Sequence, residues 1–353
     1  MNMKIEWLRN KLKSLNIQGM IISNPVNIKY LTGIEAEGIL LITRKENIYI
    51  TDARYIESVQ RTLTIGDNII VENVSYISKY DYENFFTFCE NIGFEENYVT
   101  YSTYKEYMYK YKINNMIETE HIIEKQRMVK DNTEIENIKK ACELTDKCFN
   151  YLLSFIKKGK TEKEIAFEIQ KYFMLNGADD ISFEPIVASG INSSMPHAVP
   201  TDKKIESGDI ITLDFGCKYN GYCSDMTRTI FVDSVQDYIK PVYDLVLKNQ
   251  KQITKEIREG ISAKTLFTMV DNDFKLHNYS LVHGLGHSVG LEIHEAPGLN
   301  RKDETILKQN MIITNEPGIY IAGKFGVRIE DTCLVTKAGC ITLTNSNKEY
   351  VII

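Results

Sequence analysis

The 353-residue chain is too long for one small core, and 43% hydrophobic and 25% charged residues with only seven prolines describe a folded globular protein of about two domains. A net charge of −6 with no Lys/Arg block excludes a nucleic-acid footprint. The run Ile39-Leu40-Leu41-Ile42 is far short of a membrane helix, and Lys4, Glu6, Arg9, Lys11 and Lys13 break any signal-peptide core.

In chain order, Ile5, Leu8, Leu12 and Leu15 recur at helical spacing, and Gly19 precedes a strand at Met20-Ile21-Ile22. Asn24-Pro25 reads as a turn, and Ile39–Thr43 with Ile48–Thr51 as a hairpin. There follow a helix near Arg54–Arg61 with Asp52 as its cap, a strand at Ile69–Val74, a helix at Asp81–Asn91 and a strand at Tyr98–Tyr101. This alternation predicts a small α/β domain over residues 1–124, without a catalytic constellation.

From residue 125 the pattern changes. Asp131 and Glu134 form a capping box, and Ile135, Ile138, Cys142, Thr145, Phe149 and Leu152 step by three and four toward a stop at Gly159. Thr161 and Glu164 open a second helix that ends at Asn176-Gly177, and strands follow at Ile210–Cys217 and Tyr222–Val232. The order then repeats: helices from Pro241 to Arg258 and Ser262 to Lys275, then strands at Met311–Asn315 and Val327–Val335. Two helices then two strands, twice, predicts an internal pseudo-duplication over residues 125–353.

The chemistry concentrates in this second region. Asn220-Gly221 is a strong hairpin signal, and a turn there pairs Tyr219 with Tyr222, Gly216 with Asp225, and Asp214 with Thr227. Asp214 and Asp225 then share a face as diagonal neighbours, roughly 7–8 Å apart at the backbone. Such carboxylates repel unless a cation or a proton lies between them, although two unrelated aspartates on a solvated face would give the same pattern. The segment His283-Gly-Leu-Gly-His287-Ser-Val-Gly-Leu-Glu-Ile-His294 places three of the six histidines within twelve residues, on glycine-rich backbone that cannot be a stable helix. It contains neither the His-Glu-x-x-His of a zincin nor a dinucleotide-binding glycine pattern. Glu316 ends a predicted strand, and Glu330 lies inside Val327–Val335 on the same side as Arg328 and Thr332. Two Asp, two Glu and one His form a hard, oxygen-rich set suited to Mn²⁺, Co²⁺, Fe²⁺ or Zn²⁺.

Asp214, Asp225, His287, Glu316 and Glu330, framed by Asp-Phe-Gly, His-Gly-Leu-Gly-His, Glu-Pro-Gly-Ile-Tyr and Arg-x-Glu, resemble the pita-bread dinuclear metallopeptidases, in the branch of Xaa-Pro aminopeptidases and prolidases. The first domain resembles the creatinase-type N-terminal domain through Asn27-x-x-Tyr30-Leu31-Thr32-Gly33. The resemblance implies an α/β N-terminal domain and an α+β pita-bread catalytic domain with pseudo-two-fold internal duplication. It also implies two divalent ions, Mn²⁺ foremost: Asp214 chelating one, Asp225 and Glu330 bridging both, His287 and Glu316 holding the other. The hydroxide shared by the ions would be the nucleophile. His197 would lie on the substrate side, His294 at the scissile carbonyl, His283 would mark the proline-specific branch, Arg328 would orient ligands, and Glu316 would also shuttle a proton. The implied substrates are small peptides with proline second. The alternatives on the same fold are a methionyl-aminopeptidase-like enzyme, an aminopeptidase or dipeptidase of other specificity, and a non-proteolytic creatinase-like homologue. The family implies a homodimer, and seven cysteines without a Cys-x-x-Cys pair predict a reducing, cytoplasmic setting.

Overall fold

The computed structural model describes residues 2–63, 68–74 and 82–353. The chain divides into two compact units, Met1–Arg127 and Met128–Ile353.

The first unit contains α1 (Met3–Ser14), β1 (Gly19–Ile22), α2 (Pro25–Thr32), β2 (Ile39–Thr43), β3 (Asn47–Thr51), α3 (Ile56–Thr62), β4 (Ile70–Asn73), β5 (Ile92–Phe94), α4 (Tyr101–Lys110), β6 (Met116–Glu118) and α5 (Ile122–Arg127). Its strands form one mixed sheet in the order β4-β3-β2-β1-β5-β6. The hairpin of β2 and β3 lies where its alternation places it. Four local expectations do not hold. Asn24-Pro25 starts α2: Asn24 accepts from the Val26 amide, and Pro25 takes a first-turn position that needs no N–H. Asp52 accepts from the Arg54 amide and so caps a turn before α3, whose own N-cap residue Tyr55 makes no side-chain cap. Of the helix expected over 81–91, Asp81 lies outside the described residues, and the rest begins as a single 3₁₀ turn at Tyr82–Asn84. The strand expected at Tyr98–Tyr101 is instead the entry to α4, with Thr100 as N-cap. The real strand is three-residue β5, buried between β1 and β6 and too short to show a period.

The second unit contains α6 (Asn132–Phe155), α7 (Glu162–Leu175), β7 (Asp180–Ile181), β8 (Ile186–Ser189), β9 (Ile210–Phe215), β10 (Cys217–Tyr219), β11 (Tyr222–Cys223) and β12 (Met226–Phe231). It continues with α8 (Lys240–Glu256), α9 (Ala263–Leu276), β13 (Gly286–Ser288), β14 (Glu295–Leu299), β15 (Ile312–Asn315), β16 (Gly318–Ile321), β17 (Phe325–Arg328), β18 (Asp331–Val335) and β19 (Cys340–Thr342). Both capping boxes form, at Asp131/Glu134 and Thr161/Glu164. A helix pair followed by an antiparallel sheet occurs twice, the sheets running β12-β9-β8 and β14-β13-β15-β18-β19. Each pair has its own apolar core. Phe149, Leu152, Ile165 and Phe173 pack on Ile211, Leu213 and Phe215, while Val246, Ile253, Leu266 and Phe274 pack on Ile313, Cys333 and Val335. Because strand side chains alternate, burying Leu213 and Phe215 under the helices turns Thr212 and Asp214 to the opposite face. By the same alternation Thr332 turns away from Cys333 and Val335. Two sheets thus present polar faces away from their helices, and the carboxylates stand there.

Candidate metal centre

The hairpin register is as expected. Tyr219 pairs with Tyr222 and Asp214 with Thr227. Asn220 and Gly221 have φ of 48° and 79°, the two positive values a type I′ turn requires. This turn places Asp225 just before β12, opposite Gly216 and diagonal to Asp214. His287 occupies the middle of β13. A side chain at Gly286 would place its Cβ 2.2 Å from the Thr314 carbonyl oxygen, so the missing side chain lets β13 lie close against β15. The His287 amide there donates to Thr314 Oγ1 at 3.0 Å. Glu316 directly follows β15. Glu330 does not lie inside a continuous strand, as the alternation of Val327–Val335 predicts. The strand breaks at Ile329-Glu330 because β17 pairs with β16 whereas β18 pairs with β15 and β19. At the break the Glu330 amide turns to the Thr227 carbonyl, 3.1 Å away.

All five residues line one cavity of about 500 Å³, together with His197, His283, His294 and Arg328. Ligand atoms of Asp225, His287 and Glu330 lie within 4.8 Å of one another. His287 Nε2 is 3.5 Å from Asp225 Oδ2 and 3.4 Å from Glu316 Oε1. Asp214 joins through the same cavity wall, with Oδ2 accepting from Arg328 at 2.5 Å. One buried oxygen on each of Asp214, Asp225 and Glu330 has no hydrogen-bond partner. Burial pushes the Asp225 and Glu330 carboxyls well above the carboxylate range, with Coulomb repulsion from their acidic neighbours adding to it. Burial lifts Glu316 to about 7. His287 moves the other way, to about 4, through burial and the neighbouring His294. It is therefore neutral. With Nδ1 donating to the Ser288 carbonyl, the Nε2 lone pair is free to face the carboxylates. Buried carboxylates that repel, unpartnered oxygens and a neutral imidazole nitrogen are the electrostatic complement of cations. The residues fit divalent metal.

The profile of Metallopeptidase family M24 matches residues 136–337. The chain belongs to metallopeptidase family M24. Residues 4–129 match the Creatinase/Prolidase N-terminal domain. The chain is 35% identical to a Xaa-Pro dipeptidase of Pyrococcus horikoshii, with 99% of each covered. A Xaa-Pro dipeptidase structure from Bacillus anthracis superposes with a TM-score of 0.92 at 36% identity, covering 99% of both chains. An X-Pro aminopeptidase structure from Thermotoga maritima gives 0.88 at 31% identity, covering 97% of this chain and all of the other. The architecture is thus the creatinase-type N-terminal domain followed by the M24 pita-bread domain expected from the motifs, in an enzyme of the metallo-exopeptidase class. Family membership implies divalent metal ions.

Around this M24 centre the remaining residues occupy distinct positions. The His294 and His287 rings meet edge to face with centroids 4.4 Å apart. His197 is exposed on the loop after β8. His283 is half-buried, and its imidazole is held down to about 4, first by desolvation and then by Arg328. Its Nδ1 donates to the Gly284 carbonyl, so Nε2 accepts from the Tyr320 hydroxyl at 3.1 Å. Arg328 donates to Asp214, to the Tyr320 hydroxyl at 2.6 Å, to Thr227 Oγ1 at 3.1 Å and to the Pro196 carbonyl at 3.1 Å. Thr227 in turn donates to Glu330 Oε2 at 2.7 Å. Sequence reasoning assigns no role to Tyr320 or Thr227, although Tyr320 ends the Glu-Pro-Gly-Ile-Tyr motif and Thr227 is the hairpin partner of Asp214. Their parity with Gly318 and Asp225 on alternating strands is the signal that points to them.

Proposed function

We propose that this site hydrolyses the bond between a first residue and a following proline, in Xaa-Pro dipeptides foremost. The observation that carries the reading is the set of buried carboxylates with unpartnered oxygens around a neutral His287, rimmed by histidines that are free to meet substrate. The likeness to Xaa-Pro dipeptidases over the whole chain supports the proline specificity. The likeness to an X-Pro aminopeptidase keeps longer Xaa-Pro peptides as the second reading. Asp214, Asp225, His287, Glu316 and Glu330 would hold two divalent ions, Mn²⁺ first among Co²⁺, Fe²⁺ and Zn²⁺ by the hardness of the donors. When bound, the ions supply an acidified water and Lewis acidity toward the carbonyl.

The chain's own groups do the rest. Arg328 fixes the Asp214 carboxylate. His294, beside His287, donates to the oxyanion as it forms, and His197 meets the substrate from the cavity mouth. Glu316 takes the water's proton and passes it to the departing proline nitrogen. His283, kept neutral, holds Tyr320 and through it Arg328. By the family resemblance the enzyme works as a homodimer in the cytoplasm, where its seven free thiols would stay reduced. Among the described residues no helix is long and apolar enough to cross a membrane.

A cleavage panel of Ala-Pro, Ala-Pro-Ala, Met-Ala-Ala and creatine, run before and after exhaustive chelation, tests the reading. Ala-Pro is expected to be cleaved, and activity should vanish with the metal and return with Mn²⁺. Turnover of Met-Ala-Ala or creatine alone, or cleavage that survives metal stripping, would overturn it. His197→Ala and His294→Ala are expected to keep their metal and lose turnover, because both act on substrate and transition state. Metal content measured beside kcat checks this, and a parallel loss of both would show a ligand role instead.

A further inference from the structure

Lys130 is the one buried lysine among the described residues. It lies in the segment leading into α6, and its side chain is 1% exposed against 5% for that of its partner Glu295. Its ammonium donates to Ser288 Oγ at 2.9 Å and lies 3.1 Å from Glu295 Oε2. Ser288 Oγ passes the link on by donating to the Ile312 carbonyl of β15 at 2.8 Å. Ser288 directly follows His287, and Glu295 directly follows His294. One cation therefore ties together the neighbours of the two histidines whose rings meet in the site.

The strand register shows why a tie is needed there. His287 pairs with Gly298 but Ser288 pairs with Glu295, so one step along β13 spans three residues of β14. Ala296 and Pro297 are the extra residues of this irregularity, and the ladder itself leaves the spacing of His287 and His294 loosely specified. The Lys130 contacts close the ladder again at the first pair beyond the irregularity. Neither Lys130, Ser288 nor Glu295 lines the cavity. Successive residues of a strand face opposite ways, so Ser288 reaches Lys130 behind the sheet while His287 faces the carboxylates.

We propose that Lys130 is a positioning residue: through Ser288 and Glu295 it sets the distance and angle between His287 and His294. The geometric part stands on the contacts alone, and the kinetic consequence rests on the Xaa-Pro peptidase reading. Removing the Lys130 ammonium alone would also alter the electrostatics at Glu295, so the informative variant is Lys130→Met combined with Glu295→Gln, which removes both charges of this pair. Ser288→Ala cuts the arm to Ser288 while leaving the ion pair, and serves if the double variant does not fold.

In histidine-labelled, metal-free protein, the imidazole resonances of His287 and His294, assigned by their own Ala variants, should shift in either variant while those of His121 and His277 stay fixed. Mn²⁺ titrated alone by calorimetry should bind at least 10-fold more weakly. On Ala-Pro, kcat should fall at least 10-fold with KM little changed. Unchanged resonances in a folded variant, or rate loss that only follows the unfolded fraction, would overturn the positioning role. Shifted resonances in a protein that cleaves no Xaa-Pro peptide would instead remove the peptidase reading and leave the positioning role in place.

Discussion

Asp225→Asn and Glu330→Gln are expected to retain clearly less metal than His287→Ala after equal dialysis at fixed free Mn²⁺. Asp225 and Glu330 face His287 across less than 4.8 Å, and each keeps a buried oxygen without a partner. A carboxylate has two oxygens and a full negative charge, so it can serve two cations and screen their repulsion. A neutral imidazole offers one nitrogen and no charge. On the proposed assignment, removing a bridging charge would leave two cations with one fewer shared anion in a site of low dielectric, where that repulsion would be steep. Loss of a bridge should therefore empty both positions together, whereas His287→Ala should spare the ion on the Asp214 side. Lewis-acid stabilisation is worth several kcal/mol, so Ala-Pro hydrolysis by either bridge variant should fall on the order of 100-fold or more. Metal content per chain decides the matter, with circular dichroism to show that each variant is folded. Equal retention in all three variants would remove the bridging roles.

Arg228→Ala should be the most destabilising of the single substitutions considered, at about 3–5 kcal/mol, because it breaks a buried ion pair, leaves Asp331 with Lys348 as its cation and strips the Ser346 and Glu330 carbonyls of their donor. The Arg228 and Asp331 side chains are 1% and 0% exposed, and their N–O distance is 2.7 Å. The guanidinium also donates to the Ser346 carbonyl at 2.9 Å and to the Glu330 carbonyl at the strand break. Burial pushes the Asp331 carboxyl up, but Arg228 and Lys348 outweigh it and hold it below the carboxylate range. A depressed folded-state pKa contributes stability that is complete above the unfolded value and is lost as pH falls through the folded one. The difference between wild type and Arg228→Ala in urea unfolding should therefore be largest near neutral pH and shrink in acid below the ordinary Asp range. A difference independent of pH would show that Arg228 acts by packing alone. Because Arg228 holds the backbone of Glu330, the surviving folded fraction should also bind Mn²⁺ more weakly.

Features that depend on neighbours in the chain are legible in the amino-acid sequence itself. The Asn220-Gly221 turn sets a register within a dozen residues, so the convergence of Asp214 and Asp225 follows from local chemistry. The two capping boxes and the buried stripe of α6 are local in the same sense: cap bonds span three residues and the stripe repeats every turn. The ligand types are readable too, since histidines on glycine-rich backbone and glutamates at strand ends leave a compositional trace. Short or irregular elements are not. Strand β5 has three residues and shows no period, and Asn24-Pro25 can open a helix as readily as a turn until its surroundings choose. The break at Ile329-Glu330 depends on which strands lie beside β17 and β18, and alternation within the segment contains no record of those neighbours. Arg228 meets Asp331 across 103 residues and Lys130 meets Glu295 across 165. In sequence each is an ordinary charged residue. Their burial and pairing arise when distant strands pack, because only there does a charge withdrawn from water find the opposite charge that compensates it.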